Sequence, residues 1–145
     1  MQPQTFVFFG PSGCGKGTQA KLLIDYLEKN DPDRKVFYLE TGKKLREFMI
    51  TDSFTAKLTK AVMDEGGLMP EFMPVWIWTQ FLIDNLTGDE HILFDGICRR
   101  LAEAPILDSA IRFYKMKDPV IISIELSREE ARKRLLGIVV FQKVS

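Results

Sequence analysis

The sequence predicts an α/β protein with a central parallel sheet, on the evidence of two patterns. Short continuous runs of apolar, β-branched and aromatic residues are typical of strands that are covered on both faces. Segments with helical spacing of apolar residues separate these runs, and strands that alternate with helices form parallel sheets. The predicted strands are residues 5–9, 35–40, 91–95 and 119–126.

Helical patterns fill the intervals between the predicted strands. The first helix is predicted at residues 15–30. Three helical patterns follow in residues 42–86, a segment that is longer than one crossover between strands requires. We therefore expect residues 42–86 to form a helical subdomain that stands partly off the sheet, within one domain of residues 1–145. The apolar stripe of the first helix is predicted to be Ala20, Leu22, Leu23, Tyr26 and Leu27.

Composition excludes several classes of protein. The chain has 145 residues, of which 20 are basic and 20 acidic. Without net charge, binding to nucleic acid or to a membrane surface has no support, and no apolar run is long enough to cross a bilayer. Cys14 and Cys98 are too far apart for a metal or redox motif, and the N-terminal residues lack the pattern of a secretory signal. We therefore expect a monomeric cytoplasmic protein with reduced thiols and with no nucleic-acid or membrane partner.

The stretch GPSGCGKGT, residues 10–18, lies between the first predicted strand and the first predicted helix. It contains the pattern G-x-x-x-x-G-K in the context that this phosphate-binding motif requires. Glycines allow positive φ and close approach of the backbone, so that loop amides can surround an anion at a helix N-terminus. Lys16 adds a mobile ammonium for the β- and γ-phosphates. The motif predicts a three-layer α/β/α fold of the P-loop NTPase type that binds a nucleoside triphosphate.

The loop departs from the general motif because Gly17 replaces the usual Ser or Thr, and Thr18 follows. In this respect GPSGCGKGTQA resembles the phosphate loop of the nucleoside monophosphate kinases, above all the adenylate kinases. Four further segments are similar to motifs of that family, in the same order, so that the resemblance covers residues 1–137. They are ETGKKLR (40–46), MDEGGLMP (63–70), FDGICRR (94–100) and ARKRLLG (131–137), the last of which is similar to the helix before the family's lid.

The resemblance implies a phosphotransferase that moves a phosphoryl group from MgATP to a nucleoside monophosphate, with AMP as the expected acceptor. It implies catalytic roles for Lys16, Asp95, Arg99 and Arg134. Thr18 and Asp95 would hold the Mg²⁺, and Asp95 would do so through water, because magnesium keeps much of its hydration. The implied ATP-binding residues are Gly13, Cys14, Gly15, Lys16, Gly17, Thr18 and Arg134.

The acceptor site implied by the resemblance combines the helical subdomain with the loop after the third strand. Arg46 and Arg99 would clamp the acceptor α-phosphate, because a guanidinium can donate two parallel hydrogen bonds to phosphate. Glu103 stands where the family has a glutamine that binds adenine, and an ionised glutamate only accepts hydrogen bonds. It either suits the donors of guanine or points outward, so GMP, CMP and UMP stay alternative acceptors. The implied acceptor-binding residues are Thr41, Gly42, Arg46, Gly67, Leu68, Met69, Gly96, Arg99 and Glu103.

The pattern of the family stops after residue 137, because IVVFQKVS (138–145) contains neither its lid nor its further arginines. In comparable systems one such arginine changes the rate by roughly 10³ to 10⁵. A second interpretation is therefore a shortened nucleotide-binding module with little or no turnover. Alternatively, residues 138–145 form an edge strand reached directly from the preceding helix, or an extended tail. A third is a P-loop kinase of a small metabolite, which should lack the motifs around Arg46 and Arg99. We expect Arg100, Arg128 and Arg132 to be surface charges and His91 to be structural.

Overall fold

The computed structural model describes residues 1–134 and 136. Four parallel strands form one sheet with helices on both faces, which confirms the predicted α/β class. The strands are β1 (Thr5–Phe9), β2 (Val36–Glu40), β3 (His91–Asp95) and β4 (Val120–Ser123). Their order in the sheet is β2-β3-β1-β4. The prediction for residues 138–145 lies outside the described residues.

Five helices lie between the strands along the chain, and a sixth follows the last strand in the described residues. A 3₁₀ turn, Leu101–Glu103, precedes the helix Ala104–Phe113, and Ser53 caps the helix Phe54–Asp64 by accepting a hydrogen bond from the Ala56 amide at 3.0 Å. Within residues 1–134 and 136, none of these helices combines the length and the apolar character needed to cross a membrane. The helices are α1 (Lys16–Asn30), α2 (Thr41–Met49), α3 (Phe54–Asp64), α4 (Phe72–Asn85), α5 (Ala104–Phe113) and α6 (128–134).

Side chains on the two faces of the sheet pack into separate cores, because successive residues of a strand point to opposite faces. On one face, α1 covers Phe6, Phe8 and Leu93. On the other face, α4 and α5 cover Val7 and Phe94. Helices on both faces of a parallel sheet give the three-layer α/β/α arrangement that the sequence predicted.

The strand register brings the carboxyl ends of three strands together. Asp95, the last residue of β3, is paired with Phe8 of β1 on one side and with Glu40 of β2 on the other. Ligands of open parallel sheets bind in the crevice beyond the carboxyl ends of the strands. Asp95 therefore marks the edge of the sheet where a site is expected.

Two details of the sequence prediction were wrong. Leu22 and Tyr26 are 58% and 57% exposed, because they lie on the face of α1 opposite to the buried Ala20 and Leu27. The fourth strand is shorter than predicted, and its Ile121 is 57% exposed. Within the described residues β4 pairs only with β1, so it is an edge strand and lacks the cover of the central strands.

Residues 42–86 cover α3, α4 and all of α2 except its first residue, Thr41, and the subdomain remains a prediction. The last of these helices also belongs to the main core, since Trp78 and Leu82 are buried in the same cluster as Val7 of the sheet. Trp76 is 45% exposed and its ring lies edge-on to Phe48 at a centroid distance of 5.2 Å. The helical segment is thus anchored to the sheet through α4.

Candidate functional site

The loop between β1 and α1 has a backbone shape that suits an anion. Gly13 and Gly15 have φ angles of 78° and 98°, in a region that other residues rarely adopt. No side chain caps α1, and its first turn contains no acidic residue. The first amides of a helix have no intrahelical partner, and the helix dipole adds positive potential at the same point. The loop and the start of α1 therefore offer free N–H donors to a phosphate.

Lys16 folds back over this loop. Its Nζ donates to the carbonyl oxygens of Gly10 at 2.8 Å and of Pro11 at 3.2 Å. Cys14 fills the interior of the loop, where a Cβ atom on Gly10 would lie only 2.6 Å from its Sγ. The ammonium is thereby held close to the loop amides.

A cavity of about 710 Å³ lies in front of the loop. It collects side chains from separate parts of the chain, and four of them are basic: Lys16, Arg46, Arg99 and Arg134. A concave site with an excess of positive charge favours an anionic ligand. The other residues that line the cavity are Ser12, Gly13, Gly15, Gly17, Thr18, Tyr38, Glu40, Gly42 and Asp95.

The three arginines have different surroundings. Arg46 Nη2 lies 3.3 Å from Glu40 Oε1, and Arg134 Nε lies 3.4 Å from Glu130 Oε1. The Arg99 guanidinium passes close to Gly96, where a Cβ atom would lie 3.4 Å from Nη2. The carboxylates near Arg46 and Arg134 are the groups with which a bound phosphate would compete.

Asp95 is buried at the end of β3, and Tyr38 of β2 donates a hydrogen bond from Oη to its Oδ2 at 3.0 Å. Burial raises the pKa of the Tyr38 phenol, and the nearby charge of Asp95 raises this pKa further. Tyr38 therefore stays protonated and donates. Oδ1 of Asp95 accepts no hydrogen bond from the described residues.

The residues present fit a hydrated Mg²⁺ that is also bound to phosphates. Thr18 and Asp95 line the same cavity, and one oxygen of Asp95 is free to accept from a metal-bound water. Across residues 1–134 and 136, no cluster of three or more His, Cys, Asp or Glu side chains is suited to hold a metal by itself. This donor set suits a metal that arrives with a nucleotide.

A smaller cavity of about 90 Å³ adjoins the first and shares Gly42 and Arg99 with it. It brings together residues of α2, of the segment before α4 and of the loop after β3. Thr41 is buried here, and its Oγ1 has no hydrogen-bond partner in the described part of the chain. The cavity is lined by Thr41, Gly42, Leu45, Gly67, Leu68, Met69, Pro74, Gly96, Arg99, Arg100 and Glu103.

Glu103 points inward and is only 2% exposed. Its Oε2 accepts a hydrogen bond from the Cys98 amide at 3.0 Å and so supports the left-handed backbone of Cys98, whose φ is 52°. Burial raises the pKa of the Cys98 thiol to about 11, and the charge of Glu103 contributes. Of the two orientations left open by the sequence, the inward one is present.

Arg100 was predicted to be a surface charge, and this was wrong. Its Nη1 donates to Glu71 Oε1 at 2.9 Å, and the side chain lines the smaller cavity beside Glu103. The error arose because the sequence does not show that the segment before α4 packs against the loop after β3. Arg128 and Arg132 are exposed, as predicted.

The sequence analysis assigned no role to three residues that line the larger cavity, Ser12, Tyr38 and Glu40, although Glu40 begins the segment 40–46. Tyr38 and Glu40 lie at the end of β2, two residues apart, so they point to the same face of the strand. Two polar side chains with this spacing, at a strand end predicted to lie near the loop, could have indicated that both residues face the site. His91 lies at the opposite end of β3, where its Nδ1 accepts from the Gln4 amide at 3.1 Å.

A strand, a glycine-rich loop and a helix that share one basic cavity characterise the P-loop kinases, and the chain has that fold. Comparison with known families narrows the class. A family model described as adenylate kinase matches residues 8–141. The chain belongs to the adenylate kinase family.

Curated relatives agree with this assignment. Adenylate kinase of Desulforapulum autotrophicum is 31% identical over 134 residues, which is 90% of this chain and 55% of that protein. Adenylate kinase of Petrotoga mobilis is 31% identical, over 89% of this chain and 55% of its own length. Adenylate kinase of Methanothrix thermoacetophila is 32% identical, over 90% of this chain and 57% of its own length. The chain thus spans about half the length of the curated relatives that it matches.

Proposed function

We propose that the chain binds MgATP at the phosphate loop and transfers its γ-phosphoryl group to a nucleoside monophosphate. The observation that carries this proposal is the convergence of Lys16, Arg46, Arg99 and Arg134 on one cavity in front of the loop. Phosphoryl transfer depends mainly on alignment of the reacting groups and on neutralisation of their charge. Two nucleotides that meet through their phosphates need such a set of cations.

On the donor side, the loop amides and Lys16 bind the β- and γ-phosphates, and Arg134 neutralises charge on the same tail. Thr18 and Asp95 would hold a hydrated Mg²⁺, Asp95 through water. The metal, when bound, neutralises phosphate charge and aligns the triphosphate. Lys16 is already held close to the loop by the carbonyl of Gly10, so little reorganisation is needed.

On the acceptor side, Arg46 and Arg99 hold the α-phosphate of the monophosphate so that one of its oxygens attacks the γ-phosphorus. The bond between that phosphorus and the β-phosphate oxygen breaks, and ADP leaves. The two arginines line the cavity from different elements, α2 and the loop after β3. In this proposal the acceptor binds between the helical segment 42–86 and the sheet.

AMP is the proposed acceptor, with ATP and AMP giving two ADP, because the curated relatives carry the name adenylate kinase. Thr41, Gly67, Leu68 and Met69 line the smaller cavity, where the base would bind.

GMP is the second candidate, and the buried carboxylate of Glu103 in that cavity favours it. A carboxylate accepts hydrogen bonds from the adjacent N–H groups of guanine, whereas adenine presents a donor beside an acceptor.

A coupled assay for ADP formation with AMP, GMP, CMP and UMP tests the reaction and the acceptor together. Calorimetry with a bisubstrate dinucleotide, two adenosines joined by five phosphates, tests binding without turnover. Lys16→Met should lower ATP affinity by at least about tenfold, because it removes hydrogen bonds between charged groups. Lys21→Met is the matched control, since Lys21 is exposed on α1 and pairs with Asp25 at 3.2 Å.

Unchanged ATP affinity in Lys16→Met would contradict the proposed site. Tight binding of the bisubstrate dinucleotide without ADP formation from any monophosphate would instead indicate a nucleotide-binding module. ADP formation with a metabolite acceptor alone would contradict the assignment of the acceptor site.

A further inference from the structure

Tyr38 joins the sheet to the cavity through two different parts of its side chain. The ring packs at the edge of the core cluster that contains Phe6, Phe8 and Leu93. The hydroxyl lies in the cavity and donates to Asp95 Oδ2 at 3.0 Å. The position of the ring is thus determined by packing, whereas the hydroxyl has one polar partner.

The contact depends on the register of two parallel strands. Leu93 of β3 is the Cα partner of Tyr38, and Asp95 is the partner of Glu40, so the phenol reaches diagonally along the neighbouring strand to the carboxylate. The length of a tyrosine side chain makes this reach possible. The strands β2 and β3 are both anchored in the core, so the donor and acceptor are held by rigid elements.

A carboxylate that is free to rotate loses conformational freedom when it orders a metal-bound water. The Tyr38 hydroxyl occupies Oδ2 and leaves Oδ1, which accepts from no other described residue, for such a water. Groups that orient the groups next to a metal in this way commonly affect metal affinity strongly.

We propose that Tyr38 is a positioning residue that orients the Asp95 carboxylate toward the metal-bound waters of MgATP. The inference rests on the proposed function, because it requires that MgATP bind in this cavity. Tyr38 contacts neither the nucleotide nor the metal in this account. Its effect on both passes through Asp95.

The test compares ATP binding with and without Mg²⁺, measured by calorimetry on wild type and Tyr38→Phe. The phenylalanine keeps the ring packing and removes only the donor. The gain in ATP affinity on adding Mg²⁺ should fall by about tenfold in Tyr38→Phe, while metal-free ATP affinity stays as in the wild type. Tyr114→Phe is the matched control, since Tyr114 is similarly half-buried but lies outside this cavity, and its Mg²⁺-dependent gain should be unchanged.

A double-mutant cycle with Asp95→Asn separates positioning from general support of the fold. Tyr38→Phe should have no further effect on the Mg²⁺-dependent gain once Asp95 is replaced, because the two residues act through one contact. The inference is overturned if Mg²⁺ increases the ATP affinity of Tyr38→Phe as much as that of the wild type. It is also overturned if Tyr38→Phe loses the same ATP affinity with and without Mg²⁺. A wild type that does not bind ATP at all overturns the proposed function as well, so the two failures are distinguishable.

Discussion

The Glu40 carboxylate lies 3.3 Å from the guanidinium of Arg46, at the boundary between β2 and α2. The arginine proposed to hold the acceptor phosphate therefore has a protein partner before any nucleotide binds. Arg46 is 59% exposed and Glu40 39% exposed, so the pair is largely solvated. Acceptor binding exchanges this contact for a contact with phosphate.

Replacing Glu40 by serine should tighten acceptor binding. An exposed ion pair contributes about 0.2–1 kcal/mol, so removal of the competing carboxylate should lower the dissociation constant of the monophosphate by up to about fivefold. Isothermal titration with AMP and GMP measures the change. Glu47→Ser is the control, because Glu47 pairs with Lys44 outside the cavity at 3.2 Å. Weaker acceptor binding in Glu40→Ser would show that Glu40 assists Arg46 instead of competing for it.

Replacing Arg99 by lysine should weaken acceptor binding even though the charge is kept. A lysine is a point charge and cannot donate two parallel hydrogen bonds to one phosphate, so the KM for the monophosphate should rise about tenfold. The affinity for ATP should change little. The control is Arg112→Lys, since Arg112 is exposed on α5 and pairs with Asp108 at 2.9 Å. If Arg99→Lys weakened the binding of ATP and of the monophosphate equally, the assignment of Arg99 to the acceptor would be contradicted.

Replacing Glu103 by glutamine should shift the acceptor preference toward AMP. The amide oxygen of glutamine can still accept from the Cys98 amide, and its NH₂ group can donate to a ring nitrogen of adenine. The ratio of kcat/KM for AMP to that for GMP should rise by roughly fivefold to tenfold. Glu28→Gln, an exposed change on α1, should leave the ratio unchanged. If the ratio stays constant in Glu103→Gln, the carboxylate serves only to hold the turn at Cys98.

Asp31 should make stability depend on pH below about 4. Its Oδ2 accepts from Arg34 Nε at 3.0 Å and from His91 Nε2 at 3.2 Å, and the bond from Arg34 is the main reason that the pKa of Asp31 is lowered. A pKa lowered in the folded state means that the unfolded state binds more protons. The stabilisation is therefore complete well above the ordinary pKa of 3.8 and is lost as the pH falls through the folded value.

Urea denaturation followed by tryptophan fluorescence measures this effect, since Trp78 is fully buried. The contribution of Asp31 to the urea concentration at the unfolding midpoint should stay constant between about pH 5 and pH 7. The midpoint of the wild type should then decrease below about pH 4. Asp31→Asn should be less stable at pH 7 and should depend less on pH. Asp25→Asn, at an exposed position, is the control. Parallel pH curves for wild type and Asp31→Asn would contradict the role of this carboxylate.

The central strands were predicted well from the sequence alone. The predicted bounds of β1 and β3 are those observed, because a strand covered on both faces appears as an uninterrupted apolar run between polar residues. The prediction of β4 was less accurate, since the same apolar composition occurs in an edge strand and the sequence does not show how many neighbours a strand has.

The position of the phosphate loop was determined by the sequence itself. Gly13 and Gly15 have positive φ angles, which glycine adopts readily, and Lys16 contacts the carbonyl of Gly10 six residues earlier. The loop is therefore built by residues that are close together in the chain. Contacts between distant residues were decided only by the tertiary structure. The bond from Tyr38 to Asp95 depends on the register of two strands. Glu103 turns inward to accept from the Cys98 amide, and Arg100 reaches Glu71 because the loop after β3 packs against the segment before α4, which no local pattern encodes.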